Sequence, residues 1–427
     1  VAHDTAMTAR RRPVTTVFLL RHENRYSINA LAGALEVRGE PETEVRFVQD
    51  DDAALEALSA AARRGSLPVL CVSYACMAER GTLAAVGRVR KALGSTVFVV
   101  AGGPQPSGAP EKVLEAGCDA VVIGEGEEAL PTLLAELARG GDGGIPGVFR
   151  LRDARAGGRP RRARPVELDR YPPISVRYRR FGPIEISRGC PHACLFCQTS
   201  RLHGTRMRHR STAAILEAVR LMCREGKRAF RAITPDAFAY GSCDGIHLNV
   251  AAVAQLLEHV RAALGPDGQL FFGSFPSEVR PEHVTVELLT LVHRYANNDN
   301  IVIGARSGSP RMLQRLHRGH TVDDVVAATE AARQAGFKVY VDFIFGLPDE
   351  TDDDRAQTLA LMRRLADAGA RLHAHTFMPL AGTRYGDRLP GAMDPALRRE
   401  VHRLMHAGAL FGRWEQQERF VRGERPS

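Results

Sequence analysis

Three cysteines stand within eight residues, Cys190-Pro191-His192-Ala193-Cys194-Leu195-Phe196-Cys197, spaced C-x3-C-x2-C. Three thiolates on one short loop can hold three irons of a [4Fe–4S] cube, leaving the fourth iron open to a substrate. The rival is a structural zinc, which usually pairs C-x2-C units and needs a fourth Cys or His. His192 is on hand, but inside the loop its geometry would be cramped. The spacing therefore favours a cluster held by Cys190, Cys194 and Cys197. The other five cysteines, Cys71, Cys76, Cys118, Cys223 and Cys243, fall in apolar or mixed segments and read as small buried hydrophobes.

Strands and helices must position that loop, and the sequence alternates them throughout. In the first part the strands are Val14 to Leu20, Glu44 to Val48, Pro68 to Ser73, Thr96 to Ala101 and Ala120 to Ile123, with helical spacing between them. This pattern predicts a doubly wound parallel sheet, whose ligands bind beyond the carboxyl ends of the strands. The loops there include Arg21 to Tyr26, Ser73 to Cys76, Gly102-Gly103-Pro104 and Gly124-Glu125-Gly126-Glu127. Residues 141–181 are rich in Arg, Gly and Pro and read as an exposed, mobile linker.

The alternation resumes after the linker. An apolar stretch from residue 182 leads into the cysteines, and strands follow at Ala229 to Ile233, Gln269 to Gly273, Asn300 to Ile303, Lys338 to Phe345 and His373 to Phe377. Polar and small residues again collect at their ends: Asp236, Arg306-Ser307-Gly308-Ser309, and Gly346-Leu347-Pro348-Asp349-Glu350-Thr351, where Glu350 and Thr351 read as a helix cap. Strands followed by helices with motifs at the strand ends predict a partial TIM barrel. Asp394 to Glu418, with the single Trp (Trp414), reads as one amphipathic helix capping the barrel.

The chain has 427 residues, 44% of them hydrophobic and 25% charged, as expected for a soluble globular protein of two or three domains. No apolar stretch approaches a membrane span. The polar segment Val1 to Arg12 has no signal-peptide core, so a cytoplasmic location is expected. The net charge of +9 owes much to the Arg-rich linker, and no RNA-binding motif or basic–aromatic interleaving accompanies it, so no nucleic-acid partner is expected.

Several stretches, in register with the cysteines, resemble the radical S-adenosylmethionine (SAM) superfamily, specifically B12-binding domain/radical SAM domain proteins. They are the C-x3-C-x2-C run with Phe196 before its last cysteine, Leu168-Asp169-Arg170-Tyr171-Pro172-Pro173, Gly304 to Ser309, Gly346 to Thr351, and Pro379-Leu380-Ala381-Gly382-Thr383. The Gly-Gly-Pro and Gly-Glu-Gly-Glu loops resemble those of cobalamin-binding domains. The resemblance implies a cobalamin-binding-type Rossmann-like domain at 12–140, a linker at 141–181, a radical SAM core at 182–390 and a C-terminal helical extension at 391–427. It implies a [4Fe–4S] cluster and SAM as cofactors, and cobalamin near Gly102, Gly103, Gly124 and Gly126. It implies SAM contacts by Asp236, Ser307 and Ser309. Arg306 stands where the family commonly has a carboxylate or amide facing the adenosine, and Arg21-His22-Glu23-Asn24 does not match the D-x-H-x-x-G cobalt-ligating motif.

The activity implied is reductive cleavage of SAM to a 5′-deoxyadenosyl radical, in a cobalamin-dependent methyltransferase acting on a small molecule. The electron donor would be a flavodoxin or ferredoxin. Two rivals stay open: a radical SAM enzyme of another class (oxidoreductase, cyclase or aminocarboxypropyl transferase) with a vestigial B12 domain, and a non-enzymatic Fe–S or zinc protein. No catalytic residue is assigned by this reading.

Overall fold

The structure is a computed structural model in which residues 12–39, 43–391 and 393–424 are described. The signal-peptide reading of Val1 to Arg12 therefore falls almost wholly outside the described residues. The chain forms two compact units, 1–180 and 181–427.

Unit 1 carries β1 (Val14–Leu19), β2 (Thr43–Val48), β3 (Leu67–Ser73), β4 (Phe98–Gly102), β5 (Ala120–Val122) and β6 (Val148–Arg150), in the order β2-β1-β3-β4-β5-β6. The first five pair in parallel, and β6 runs antiparallel to β5. β1 is buried throughout, and β3 at every residue but Leu67, because helices cover both faces of the sheet. One face packs on Leu58, Val86, Val89 and Leu114, the other on Ile28, Leu35, Leu130, Leu133 and Leu134.

The linker differs from its composition-based expectation. Phe149, in β6, is 4% exposed and belongs to the sheet's core. Further on, the Val166 amide donates to Glu125 Oε2 (2.8 Å) and Ser175 Oγ to Glu36 Oε2 (2.5 Å). The two ends of the segment thus dress unit 1, whereas the Arg-, Gly- and Pro-rich residues 155–165 between them are largely exposed, as expected.

Unit 2 begins with β7 (Ile184–Glu185), β8 (Ser187–Arg188) and β9 (Arg208–His209). It continues with β10 (Ala229–Ile233), β11 (Gln269–Phe271), β12 (Asn300–Arg306), β13 (Lys338–Phe345), β14 (Arg371–Thr376) and β15 (Leu410–Phe411). Two parallel sheets, β11-β10-β7 and β12-β13-β14-β15, are joined by a parallel bridge between Val279 and Ile303, giving an open, partial barrel. Its helices are capped as their sequences demand. Thr321 with Asp324 and Thr351 with Asp354 form capping boxes, and Ser211, Asn249 and Thr285 cap three other helices. Thr351, not Glu350, closes the box at 352–367.

The C-terminal segment is not one helix. It is a helix Pro395–His406, strand β15 and a helix Trp414–Val421. Gly408 and Gly412 break it with positive φ, and a Cβ on Gly412 would sit 2.2 Å from the Ala374 carbonyl, so only glycine lets β15 close on β14.

Candidate functional site

The antiparallel pair β8–β9 forms the base of the cysteine loop, with Ser187 opposite His209 and Arg188 opposite Arg208. At its entry Gly189 has φ +84, and a Cβ there would meet the Arg206 carbonyl at 2.1 Å. Inside the loop Ala193 adopts φ +47, and the Cys197 amide closes a turn on the Cys194 carbonyl (3.0 Å). Leu195 and Phe196 pack on Met312, Leu316, Ile344, Leu347, Phe377 and Tyr385. Backbone bonds from Leu195 to Leu316 (3.3 Å) and from Tyr385 to Leu195 (3.1 Å) hold the loop on the barrel. The aromatic residue before the last cysteine therefore anchors the loop.

All three cysteines are free thiols, Cys194 buried and Cys190 and Cys197 half-buried. Burial pushes the Cys190 thiol up to about 11, with Cys194 and Cys197 adding to the rise and the His192 backbone amide opposing it. Arg318 Nη1 points at Cys194 Sγ (3.4 Å), and the Thr199 amide at Cys197 Sγ (3.5 Å). Donors aimed at sulfur favour the thiolate that iron or zinc requires. Ligands of one tetrahedral zinc, with Zn–S of about 2.3 Å, lie about 3.8 Å apart. Among the described residues the group of three ligand atoms lying within 4.8 Å of one another is Asp342, His373 and His375, not the three thiols.

Buried polar atoms without partners gather around this loop: His192 Nε2, Arg306 Nε, Arg318 Nε, His320 Nδ1 and Glu282 Oε2. His320 and Glu282 face each other at 3.8 Å, too far for a hydrogen bond. A cavity of about 570 Å³ beside them is lined by His192, Ile246, His247, Leu248, Glu282, His283 and Gly319. Burial first, then the charges of Arg280 and Arg318, hold His192 neutral, down at about 4. Unsatisfied donors and acceptors around three thiols fit a cluster with inorganic sulfides and a zwitterionic ligand.

The other expected contacts are already engaged within the protein. Asp236 is 3% exposed. Its Oδ2 meets His283 Nδ1 (2.5 Å), and its Oδ1 accepts from the Phe238 and Arg280 amides (3.2 and 3.4 Å). Burial alone would pull His283 down, but that carboxylate outweighs it and its pKa is raised. Ser307 and Ser309 are fully buried. Ser307 Oγ meets Thr358 Oγ1 (3.2 Å); Ser309 Oγ donates to Asp354 Oδ1 (2.5 Å) and caps a short helix by accepting from the Met312 amide (3.2 Å). Both hydroxyls are thus satisfied by partners within the protein, which leaves the backbone groups of Ser307 and Ser309 as the means of the expected SAM contact. Arg306, at φ +74, turns onto Glu278 and bonds Asp342 Oδ2 through Nη1 (3.2 Å).

In unit 1 the strand order reverses at β1, so the ends of β1 and β3 flank a crevice. Asn24 spans it, its Nδ2 donating to the carbonyls of Leu19 (3.0 Å) and Ser73 (2.9 Å). Beside it Ser27 Oγ meets Ser73 Oγ (3.1 Å), and Ser107 Oγ accepts from the Gly124 amide (3.0 Å). Gly103 has φ +93, and its Cβ would strike Ser73 and Tyr74 at about 3.0 Å, whereas a Cβ on Gly102 would meet nothing nearer than 3.8 Å. A face paved with Ser and Gly fits close approach of a flat macrocycle or its nucleotide tail. His22 lies exposed on the loop after β1, and Glu125 is turned to Val166. Cys71 and Cys118 are buried hydrophobes, whereas Cys243 is exposed and Cys76 and Cys223 half-buried.

Sequence reading missed Asp342, His373, His375, Glu278 and Arg318. The alternation of His373 and His375 in a strand was the available signal, because period two puts both imidazoles on one face.

A family model described as the Radical SAM superfamily matches residues 184–362, and one described as the B12 binding domain matches 14–134. An uncharacterized methyltransferase, PH0819 of Pyrococcus horikoshii, is 27% identical over 312 residues, 70% of this chain, and the chain spans 64% of that relative's length. The radical SAM methyltransferase TsrM of Kitasatospora setae, solved with cobalamin and a [4Fe–4S] cluster bound, superposes with a TM-score of 0.70 at 19% identity over 89% of this chain and 74% of its own. The cobalamin-dependent SAM radical enzyme OxsB, solved with aqua-cobalamin, gives 0.64 at 18% identity over 82% of this chain and 52% of its own. No helix of the described residues is long and apolar enough to cross a membrane.

Proposed function

We propose, from the premise that this chain is a radical SAM enzyme joining a B12 binding domain to a radical SAM superfamily domain, that it transfers a methyl group from SAM to a small molecule with the help of cobalamin. The radical SAM domain implies a [4Fe–4S] cluster, SAM and a reductant, and the B12 binding domain implies cobalamin. When bound, these groups supply one-electron cleavage of SAM and methyl carriage. The carrying observation is the loop of Cys190, Cys194 and Cys197 on the barrel, ringed by the unpartnered nitrogens of His192, Arg306 and Arg318. Leu195 and Phe196 seat the loop on the apolar cluster of the barrel. Arg318 and the Thr199 amide favour thiolates at Cys194 and Cys197. Kinship with an uncharacterized methyltransferase supports methyl transfer over other radical chemistry.

The test is to incubate the reconstituted protein anaerobically with SAM, cobalamin, a strong reductant and a small-molecule cell extract, and to identify the SAM products by mass spectrometry. S-Adenosylhomocysteine together with 5′-deoxyadenosine is expected. 5′-Deoxyadenosine alone would point to another radical SAM class, and methylthioadenosine to aminocarboxypropyl transfer. Cys194→Ala should abolish the iron-dependent visible absorbance. Stoichiometric zinc without iron in the protein as isolated would sink the enzyme reading.

A further inference from the structure

Alternate residues of β13 and β14 divide between two faces of the barrel wall. Val341, Phe343, Leu372 and Ala374 are fully buried. They lie on the face covered by helices Val322–Gln334 and Asp352–Asp367. Asp342, Ile344, His373 and His375 lie on the opposite face, where Asp342 is the register partner of His373 and Ile344 of His375. That face is the one capped by the cysteine loop, since Ile344 belongs to the apolar cluster that seats Leu195 and Phe196. Arg306 links the two: it bonds Asp342 and is close enough to Cys197 to feel its charge. The two histidines and the aspartate therefore sit inside the barrel, on the side of the thiols.

Hydrogen-bond logic fixes the protons. An ionised carboxylate only accepts. Asp342 Oδ1 is 3.0 Å from His373 Nδ1, so that nitrogen carries the hydrogen, and Nε2 is the ring nitrogen left to accept a proton. Among the described residues nothing is bonded to that Nε2, and the His373 side chain is 31% exposed. The ring is held against Phe411, centroids 4.7 Å apart and planes 13° from parallel. His375 is oriented the other way. Gln417 Oε1 accepts from the Thr376 amide (2.8 Å), which leaves the Gln417 amide nitrogen facing His375 Nδ1 (3.5 Å). His375 then carries its hydrogen on Nε2, directed at Asp342 Oδ2 4.0 Å away. Of the two imidazoles, only His373 presents a free lone pair to the interior.

We infer that His373 is the proton acceptor for the substrate, with Asp342 as its positioning residue, and that the substrate brings an ionisable X–H group (hydroxyl, amine or heteroaromatic ring) to the barrel interior. This rests on the methyl-transfer reading above. The proton from X goes to His373 Nε2. With that proton gone, the 5′-deoxyadenosyl radical takes a hydrogen atom from the carbon next to X and leaves as 5′-deoxyadenosine, and the carbon radical joins the methyl group as the bond between methyl and its donor breaks with one electron to each side. The same three side chains have the composition of a divalent-metal site. Two hydrogen bonds that Asp342 already accepts, from Arg306 Nη1 and His373 Nδ1, favour the acceptor assignment.

Two measurements on the full-length reconstituted protein test the assignment. In the first, diethyl pyrocarbonate at pH 7 is followed by peptide mapping, with exposed His259 as internal reference. His373 should be acylated, and Asp342→Asn should slow that acylation at least fivefold relative to His259. In the second, SAM with a CD3 group is supplied with cobalamin, reductant and the extract. His373→Ala and His373→Asn should lose CD3 transfer by about 10²–10⁴-fold, and imidazole in the buffer should restore part of it to His373→Ala. Full transfer by His373→Asn, which keeps a donor toward Asp342, would overturn the assignment. So would protection of His373 from acylation by one equivalent of zinc that Asp342→Asn fails to bind. Wild-type protein yielding no S-adenosylhomocysteine would sink the methyl-transfer reading instead, whatever the acylation pattern.

Discussion

Ser309→Ala separates a structural role from a ligand contact. The hydroxyl does two things: it caps the helix Pro310–Arg315, and it donates to the buried Asp354 carboxylate at 2.5 Å. Losing an N-cap costs about 1 kcal/mol. Losing a hydrogen bond to a buried charge costs about 1.5–3 kcal/mol, at the low end here because Asp354 keeps Arg311, the Thr351 amide and the Thr351 hydroxyl. Unit 2 should therefore lose about 2–3 kcal/mol. The chain's one tryptophan gives a local probe: Trp414 is fully buried in unit 2, so its fluorescence in urea follows that unit alone. The expected result is a lower urea midpoint with SAM affinity of the cluster-loaded protein changed less than about threefold, under 0.7 kcal/mol. An unmoved Trp414 transition together with a tenfold weaker SAM affinity would refute the reasoning and return Ser309 to the ligand.

Other residues make equally direct predictions. Burial holds the Glu350 carboxyl up at about 7, with Arg355 opposing the rise. The folded form thus keeps a proton that the unfolded chain releases near 4.5. Unit 2 should lose stability as pH climbs from about 4.5 to 7, by at most about 3 kcal/mol, and Glu350→Gln should flatten that profile in Trp414 urea titrations. Phe149→Ala should cost unit 1 about 3–5 kcal/mol and speed hydrogen exchange of β4 and β5 amides, whereas a free linker would leave them unchanged. Gly412→Ala should push β15 off β14 and shift Trp414 emission to the red; a wild-type spectrum would show that the Ala374 carbonyl can yield.

Much of the fold was legible because its strands are long and apolar. Val14–Leu19, Leu67–Ser73 and Lys338–Phe345 are six to eight residues each and mostly buried, so periodicity and composition agree. Strands of two residues, such as Ile184–Glu185 and Leu410–Phe411, carry no period at all and exist through their neighbours. The same contrast holds at the site. Three closely spaced cysteines announce their chemistry, but whether a hydroxyl or carboxylate faces a ligand depends on partners far away in sequence. Asp236 is taken up by His283, and Ser309 by Asp354. Asp342 looked like one polar residue in an apolar strand until register put it beside His373.

The placement of β15 bears on how the protein is made. β14 can gain its outer neighbour only after Leu410 and Phe411 have been synthesised, long after the strand itself. Unit 1, whose strands all precede residue 151, can fold while the ribosome is still translating. Unit 2 meanwhile carries an open sheet edge at β14, the kind of edge on which chains aggregate. A message cut short between the codons for Thr376 and Leu410 would encode every cysteine of the metal loop and still leave that edge bare. The quality of the protein in a cell should therefore depend on completing a segment translated long after the last of those cysteines.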